Sequence, residues 1–198
     1  MNKLNQNNYV SFYNLKFDID KFLSLLEEKE KILDFGCGNG IWENKLYPQI
    51  EKIYLFDIDK KLKDDLKKKY NSEQFNVINS IKNIQFDVVL MQSVIQYLSD
   101  DEVSNFLIEA KYPEKIIISD IPKFNRFIEL FLLLLFNQRR FYFSIKTVLL
   151  KNYLVTDFYF RNYKAYIKLF KNYKIQKINN LSEGKLTRYS LVLEKIKK

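Results

Sequence analysis

The stretch Leu33-Asp34-Phe35-Gly36-Cys37-Gly38-Asn39-Gly40 decides how this chain of 198 residues folds. Three of the four glycines in the protein stand here at alternating positions, directly after the apolar run Lys31-Ile32-Leu33. Glycine allows a positive φ and lets a ligand lie against the backbone. Because residues 41–46 can form a helix, the pattern predicts a strand, a tight turn and a helix, the opening of a nucleotide-binding βα unit.

The glycine spacing separates two families of nucleotide-binding proteins. A dinucleotide fingerprint reads G-x-G-x-x-G, whereas this run reads D-x-G-x-G-x-G. It resembles the first motif of the class I S-adenosylmethionine-dependent methyltransferases. By that resemblance Asp34 would accept the methionine ammonium group, and Gly36, Gly38 and Gly40 would let the backbone pass under the cofactor. Cys37, a small residue in the tight turn, is placed in the same cofactor site.

A second strand, Lys52-Ile53-Tyr54-Leu55-Phe56, ends at Asp57-Ile58-Asp59. An acidic residue about 20 positions past a glycine turn can accept hydrogen bonds from both ribose hydroxyls. Asp57 has that position, and Ile58 is predicted to pack on the adenine. Either aspartate could instead cap a helix over residues 60–70. With the glycine motif present, we assign the ligand to Asp57 and the cap to Asp59.

Composition favours one domain over residues 1–198, because 47% apolar content suffices for a normal core. The chain has no histidine and one cysteine, which excludes histidine metal sites, histidine-based triads and cysteine clusters. We therefore expect no metal. The polar start of the chain lacks an apolar signal-peptide core, so a cytoplasmic location is expected.

The net charge of +9 is unevenly distributed. Residues 1–110 hold 14 Lys and Arg against 18 Asp and Glu, whereas residues 111–198 hold 19 against 6. This asymmetry suggests an anionic partner near the C-terminal part, such as a phosphate-bearing molecule, nucleic acid or a membrane surface. The alternative is a solvated lysine-rich face from a biased genome, and the Lys, Asn, Ile, Tyr and Phe usage suggests an AT-rich bacterium.

Helical and strand patterns alternate along the first 120 residues. Such alternation predicts an α/β fold with a doubly wound, Rossmann-like parallel sheet. The predicted helices cover residues 18–29, 60–70 and 100–110, and the later strands cover residues 73–78, 86–92, 115–120, 173–178 and 187–193. The resemblance implies seven strands, mostly parallel, with one antiparallel member in the final pair.

Further cofactor contacts are expected at the ends of the third and fourth strands. The family often has an aspartate facing the adenine amino group, where this chain has Asn79 or Ser80; we favour Ser80, which accepts a hydrogen bond without a charge. The predicted site also includes Ile81 and Gln92. Tyr13 is a candidate cover for the carboxylate end of the cofactor, with core packing as the alternative.

Two residues are candidates for handling the acceptor. Asp120 stands at the predicted end of the fifth strand, where open α/β sheets build their sites, although an aspartate before Pro122 can also simply form a turn. Tyr97 follows the fourth strand, where many relatives place a histidine. Because histidine is missing, a carboxylate, lysine, tyrosine or water must carry any proton.

The C-terminal part contains two stretches outside the alternating pattern. Residues 124–152 are predicted to be an inserted helical lid or acceptor-binding segment, with a helix covering the sheet and a peripheral membrane contact as alternatives. Its apolar run, 127–136, is too short to span a bilayer. Residues 160–171 predict an amphipathic helix whose apolar stripe comprises Phe160, Tyr163, Ile167 and Phe170.

The sequence as a whole predicts a methyltransferase that converts S-adenosylmethionine to S-adenosylhomocysteine. The basic C-terminal part and the missing histidine favour a small anionic or sugar-type acceptor, for example a surface-glycan or phosphorylated intermediate. A nucleic-acid methyltransferase is the first alternative, although no Asn/Asp-Pro-Pro-aromatic motif is present. A non-catalytic scaffold that keeps the fold is the second. Glycine spacing disfavours a nicotinamide-dependent oxidoreductase.

Overall fold

A computed structural model describes residues 18–27, 30–40, 50–70, 72–122, 159, 161–181 and 188–197. Within these ranges the chain forms one sheet of seven strands. The strands are β1 Lys31–Phe35, β2 Lys52–Phe56, β3 Phe75–Val77, β4 Val88–Gln92, β5 Lys115–Pro122, β6 Tyr173–Asn179 and β7 Arg188–Lys195.

The strand order across the sheet is β3-β2-β1-β4-β5-β7-β6. Strands β1 to β5 pair in parallel, and β7 runs antiparallel to both β5 and β6. The predicted Rossmann-like sheet with one antiparallel strand is therefore confirmed. Because the chain crosses over between β3 and β4, the carboxyl ends of β1, β2 and β4 meet at the switch point where such sheets bind ligands.

The helices begin at side-chain caps. They are α1 Ile19–Leu23, α2 Lys60–Lys69, α3 Asp100–Glu109 and α4 Tyr163–Leu169, and a 3₁₀ turn covers Ile95–Tyr97. Asp59 accepts the backbone N–H groups of Lys61 and Leu62, which confirms it as the cap of α2. Ser99 and Glu102 form a reciprocal capping box at the start of α3.

Two apolar clusters cover the two faces of the sheet. On one face, Phe22 of α1 and Leu66 of α2 pack against inward residues such as Ile53. On the other face, Phe106 of α3 and Tyr166 of α4 join the second cluster. Both faces are thus buried, which explains the nearly continuous apolar runs in the central strands.

Two helices differ from their predictions. The predicted helix over 18–29 ends at Leu23, because the Ser24 hydroxyl bonds to the Lys21 carbonyl at 2.7 Å and the next N–H groups bond three residues back. In α4 the predicted apolar stripe is confirmed at Phe170 and wrong at Tyr163 and Ile167, which are 36% and 48% exposed, and Phe160 lies outside the described residues. The buried pair is Tyr166 and Phe170, four residues apart, which turn toward α3.

The predicted insertion 124–152, the helix over 41–46 and Tyr13 lie outside the described residues. Among the helices within the described ranges, none has the length and apolar character needed to cross a membrane.

Buried tyrosines are expected to lower the stability of the fold at alkaline pH. Burial raises the pKa of Tyr189 from 10 to about 12, and burial also raises the pKa of Tyr166 and Tyr173. A phenol whose pKa is higher in the folded state contributes stability below pH 10 that is lost as the pH rises toward the folded value. We expect the free energy of unfolding to fall between pH 10 and about 12, measured by denaturant titration at each pH.

The variant Tyr189→Phe removes one of these phenols and keeps the ring that packs under Lys177. Its stability should fall less steeply with pH over the same range. An identical pH dependence in the two proteins would contradict a role for the Tyr189 phenol.

Candidate cofactor and acceptor site

The turn after β1 requires glycine, because its backbone angles and its close contacts exclude a Cβ. Gly36, Gly38 and Gly40 have φ values of +77°, +58° and +59°, a region that L side chains rarely adopt. A Cβ on Gly36 would lie 2.5 Å from Val94 Cγ2, whereas a Cβ on Gly38 would meet no atom within 4 Å. Gly36 therefore lets the loop after β4 approach, and Gly38 faces open space.

The turn is held at both ends by hydrogen bonds. The N–H groups of Gly36 and Cys37 donate to the Phe56 carbonyl at 2.7 and 3.1 Å. At the far end, the Gly40 carbonyl accepts from Tyr70 Oη and Lys69 Nζ of the segment that ends α2. These two donors cannot be recognised from the sequence, because nothing in a lysine-rich helix end distinguishes a lysine that binds a distant turn.

Asp57 connects the glycine turn to the end of β2. Its carboxylate is 6% exposed, and it accepts the Gly38 N–H at 3.0 Å on Oδ2 and the Asp59 N–H at 2.9 Å on Oδ1. Each carboxylate oxygen has a second lone pair that can accept another donor. The predicted ribose role of Asp57 remains compatible with this geometry, and the carboxylate has an additional role in shaping the turn.

The other predicted cofactor residues are distributed around this edge. Asp34 is 1% exposed within β1, in register with Leu55 and Leu90. Ile58 is 72% exposed, available to a flat ring. Ser80 is exposed and its Oγ accepts the Lys82 N–H at 3.1 Å.

The remaining members differ in exposure. Ile81 is buried in the core and Cys37 packs in the opposite cluster, so their side chains contribute packing. Gln92 is half-buried at the carboxyl end of β4. Their cofactor contacts stay predictions.

A polar cluster that the sequence did not reveal lies where β4 and β5 end. The Ser93 hydroxyl donates to Asp120 Oδ2, and Asn180 Nδ2 donates to Asp120 Oδ1 at 3.4 Å. Asp120 is 3% exposed, and the strand continues past it to Pro122. Its predicted position at the strand end was therefore two residues early, and it sits in an irregular part of β5.

Tyr97, the second acceptor candidate, lies half-buried in the 3₁₀ turn that follows β4. Arg161 fixes this turn: Nη1 and Nη2 donate to the carbonyls of Ile95 and Leu98 at 3.0 and 2.5 Å, and Nε donates to Asp100 at 2.7 Å. The fork of guanidinium donors suits several acceptors at once.

Known proteins share this architecture. Residues 10–107, about half of the chain, match the family model described as a methyltransferase domain. A Sulfolobus solfataricus protein assigned to the type 11 methyltransferases has the same fold, with a TM-score of 0.61 and 20% identity over 91% of this chain and 93% of that one. The chain belongs to the class I S-adenosylmethionine-dependent methyltransferases. The predicted family is confirmed.

Two more similar proteins differ in the acceptors that their names state. Magnesium protoporphyrin IX methyltransferase of Synechocystis PCC 6803, solved with bound S-adenosylhomocysteine, has a TM-score of 0.59 and 17% identity, covering 91% of this chain and 82% of that one. Ribosomal RNA small subunit methyltransferase A of Mycoplasmopsis synoviae (strain 53) is 31% identical over 118 residues, 57% of this chain and 41% of that protein. The chain thus spans about two fifths of the length of this curated relative.

The described residues fit the family's cofactor, S-adenosylmethionine. The turn leaves an open cradle at Gly38, where a Cβ would meet no atom of the described residues within 4 Å. The Asp57 carboxylate borders this space, and Ile58 offers an exposed apolar side chain next to that carboxylate. Within the described ranges of the chain, no group of three His, Cys, Asp or Glu side chains could hold a metal ion.

We expect Gly36→Ala and Gly38→Ala to differ in stability. Both place a Cβ at positive φ, which costs about 1 kcal/mol or more, but only the first collides with Val94. The Gly36 variant should therefore be less stable by roughly a further 1–3 kcal/mol, measured by urea unfolding. Adding Val94→Ala should recover part of the loss at Gly36 and none at Gly38; equal recovery at both would contradict the contact.

We expect Asp57→Ala to weaken S-adenosylmethionine and S-adenosylhomocysteine by the same factor, about tenfold or more, because both carry the ribose and a charge-assisted hydrogen bond contributes roughly 1.5–3 kcal/mol. Calorimetric titration measures both affinities. Asp59→Ala is the matched control: it loses the α2 cap, about 1 kcal/mol of stability, while cofactor affinity stays near that of the parent. Selective weakening of one ligand would contradict the ribose role.

Proposed function

We propose that the protein transfers the methyl group of S-adenosylmethionine to a small acceptor that is anionic or sugar-like. The observation that carries this proposal is the open cradle at Gly38, bounded by the Asp57 carboxylate and joined through Gly36 and Val94 to the loop after β4. Cofactor and acceptor would then lie at one edge of the sheet.

The chain's own residues need to supply binding and alignment. The sulfonium of the bound cofactor supplies an already activated methyl group. Holding a nucleophile in line with that carbon accounts for much of the rate enhancement in such reactions. Asp34 and Asp57 are proposed to fix the amino-acid and ribose ends, and Asp120 and Tyr97 to lie on the acceptor side.

The charge distribution supports an anionic acceptor. Residues 111–198 carry 19 Lys and Arg against 6 Asp and Glu, so a phosphate-bearing molecule approaching this part meets a favourable potential. A phosphorylated or surface-glycan intermediate fits this chemistry. The insertion 124–152 is proposed to cover the acceptor, since it follows β5, whose carboxyl end lies at the same edge.

RNA is the second candidate acceptor, and one observation favours it: the 31% identity to a ribosomal RNA methyltransferase. Against it, the chain reads Gln92-Ser93-Val94-Ile95 after β4, without the prolines and aromatic residue of the base-flipping motif. We therefore rank RNA below the small anionic acceptor.

Calorimetric titration with S-adenosylhomocysteine, followed by NAD on the same sample, tests the cofactor. We expect a dissociation constant in the micromolar range for the first ligand and no heat from the second, because the glycine spacing provides no pyrophosphate site. Gly38→Val should abolish the first signal with the protein still folded by circular dichroism. Full binding by that variant would overturn the site assignment.

Salt dependence separates the two acceptor classes. If RNA is bound through its phosphates, the logarithm of the binding constant falls steeply and linearly with the logarithm of salt concentration. We expect total RNA to bind weakly and a panel of sugar phosphates to accept methyl groups from S-adenosylmethionine. Tight, steeply salt-dependent RNA binding together with RNA methylation would reverse the ranking.

A further inference from the structure

Strand β5 contains a bulge centred on Asp120. Ile118 pairs with Leu191 and Ile121 pairs with Tyr189, so Ser119 and Asp120 together oppose Ser190. Asp120 has a φ of +64°, which is uncommon for a residue with a side chain. Bulges of this kind occur next to active sites, where they redirect a side chain. Here the redirected side chain is the carboxylate that accepts the Ser93 hydroxyl.

Side chains from the C-terminal strands stabilise the bulge. The Asp120 N–H donates to Asn180 Oδ1 at 2.9 Å, and the Asp120 carbonyl accepts from Arg188 Nη1 at 3.2 Å. Ser190, opposite the bulge, donates its hydroxyl to the same Asn180 oxygen at 3.1 Å. The backbone groups that the bulge removes from the strand ladder are thus satisfied by two dedicated side chains, Asn180 and Arg188.

Ser93 is held as firmly as Asp120. Its N–H donates to the Ser119 carbonyl at 3.2 Å, its carbonyl accepts Gln96 Nε2 at 2.7 Å, and its hydroxyl donates to Asp120. Its φ of +56° is also in the left-handed region. Two adjoining strained residues joined by a hydrogen bond indicate a geometry maintained for function.

The direction of the Ser93–Asp120 hydrogen bond decides what the pair can recognise. A carboxylate accepts, so Ser93 gives its proton to Asp120 and keeps lone pairs for an incoming donor. Ser93 is half-buried while Asp120 is 3% exposed, so an acceptor molecule reaches the carboxylate through the serine. A group that carries a proton, O–H or N–H, complements this site; a deprotonated phosphate oxygen or carboxylate presents only lone pairs to it.

We propose that Ser93 is a catalytic residue that contacts the acceptor nucleophile, that Asp120 receives the proton through it, and that Asn180 and Arg188 are positioning residues. The acceptor nucleophile is accordingly a hydroxyl or an amine. This inference rests on the proposed methyl transfer and narrows its substrate class.

The step balances without another reactant. The methyl carbon leaves the sulfonium sulfur and bonds to the acceptor oxygen or nitrogen, and the sulfur keeps the electron pair of the broken bond. The acceptor proton passes to Ser93 Oγ as the serine proton passes to Asp120 Oδ2. The products are S-adenosylhomocysteine, the methyl ether or methylamine, and a protonated Asp120 that later releases its proton to water.

The test uses the full chain, tritiated S-adenosylmethionine and two probes: the dialysable fraction and the total RNA of a bacterial extract. The labelled product is then treated with mild alkali. Methyl ethers and methylamines survive this treatment and a following digestion with phosphodiesterase and alkaline phosphatase. Methyl esters of carboxylates release volatile methanol in the alkali, and methyl esters of phosphates release it in the digestion. The chemical class of the nucleophile is thus read without first identifying the acceptor.

The variant Ser93→Gly removes the hydroxyl and relaxes the positive φ, so it should fold with undiminished thermal stability. We expect it to lose about 10²-fold or more in methyl transfer, the usual contribution of acid–base catalysis, with unchanged affinity for S-adenosylhomocysteine.

Asp120→Asn should show the same loss. Asn180→Ala should lower kcat and leave the KM for S-adenosylmethionine unchanged. Lys111→Gly, which relaxes another positive φ away from the site, is the matched control and should transfer normally.

Label that survives both treatments and disappears in Ser93→Gly supports the proposal. Label released as methanol by either treatment, full activity in Ser93→Gly, or cofactor binding with no label in either fraction would overturn it while leaving the cofactor site intact. Failure of the parent protein to bind S-adenosylhomocysteine would instead overturn the proposed function itself, so the two failures are distinguishable.

Discussion

The close approach of Val94 to the bare α-carbon of Gly36 is the constraint on which the site depends. It brings the loop after β4 against the turn after β1 and fixes the distance between the part of the site proposed for the cofactor and the part proposed for the acceptor. The Asp57 carboxylate adds the third strand end by accepting the Gly38 N–H. The ends of three neighbouring strands, β2, β1 and β4, are therefore brought together by two contacts: Val94 against Gly36, and the Asp57 carboxylate with the Gly38 N–H.

The antiparallel end of the sheet has more than a closing role. Asn180 follows β6 and Arg188 begins β7, yet both bind the backbone of Asp120 in β5. Arg161, just before α4, likewise fixes the carbonyls of the turn after β4. Residues near the C-terminus thus fix the geometry of the bulge in β5 and of the turn after β4, at the expense of several buried polar groups and of positive φ angles at Ser93 and Asp120.

The sheet, the glycine turn and the cap of α2 follow from the sequence because their signals are local. The alternation of apolar runs with helical patterns predicted the parallel, doubly wound part of the sheet. The three glycines predicted the turn, and the pair Asp57 and Asp59 predicted the cap of α2. On the acceptor side the sequence offers Asp120 as a candidate, but its contacts with Ser93 and Asn180 do not follow, because they depend on register. A one-residue bulge at Asp120 and a hydrogen bond between residues 60 positions apart leave no periodic trace. The apolar stripe of α4 was predicted wrongly at Tyr163 and Ile167 for a related reason. An aromatic-rich helix offers more than one apolar face, and which face is buried depends on the residues that the helix packs against.

The two outer strands of the sheet carry a consequence for solubility. Strand β3, at one edge, has three residues. Strand β6, at the other edge, has seven, and among the described residues no strand pairs with its outer side. Exposed Lys174 and Lys177 lie along β6. A short strand and lysines on an open edge are features that discourage a second chain from pairing there and starting aggregation. Part of the positive charge in the C-terminal half therefore discourages aggregation of the folded protein, independently of any anionic acceptor.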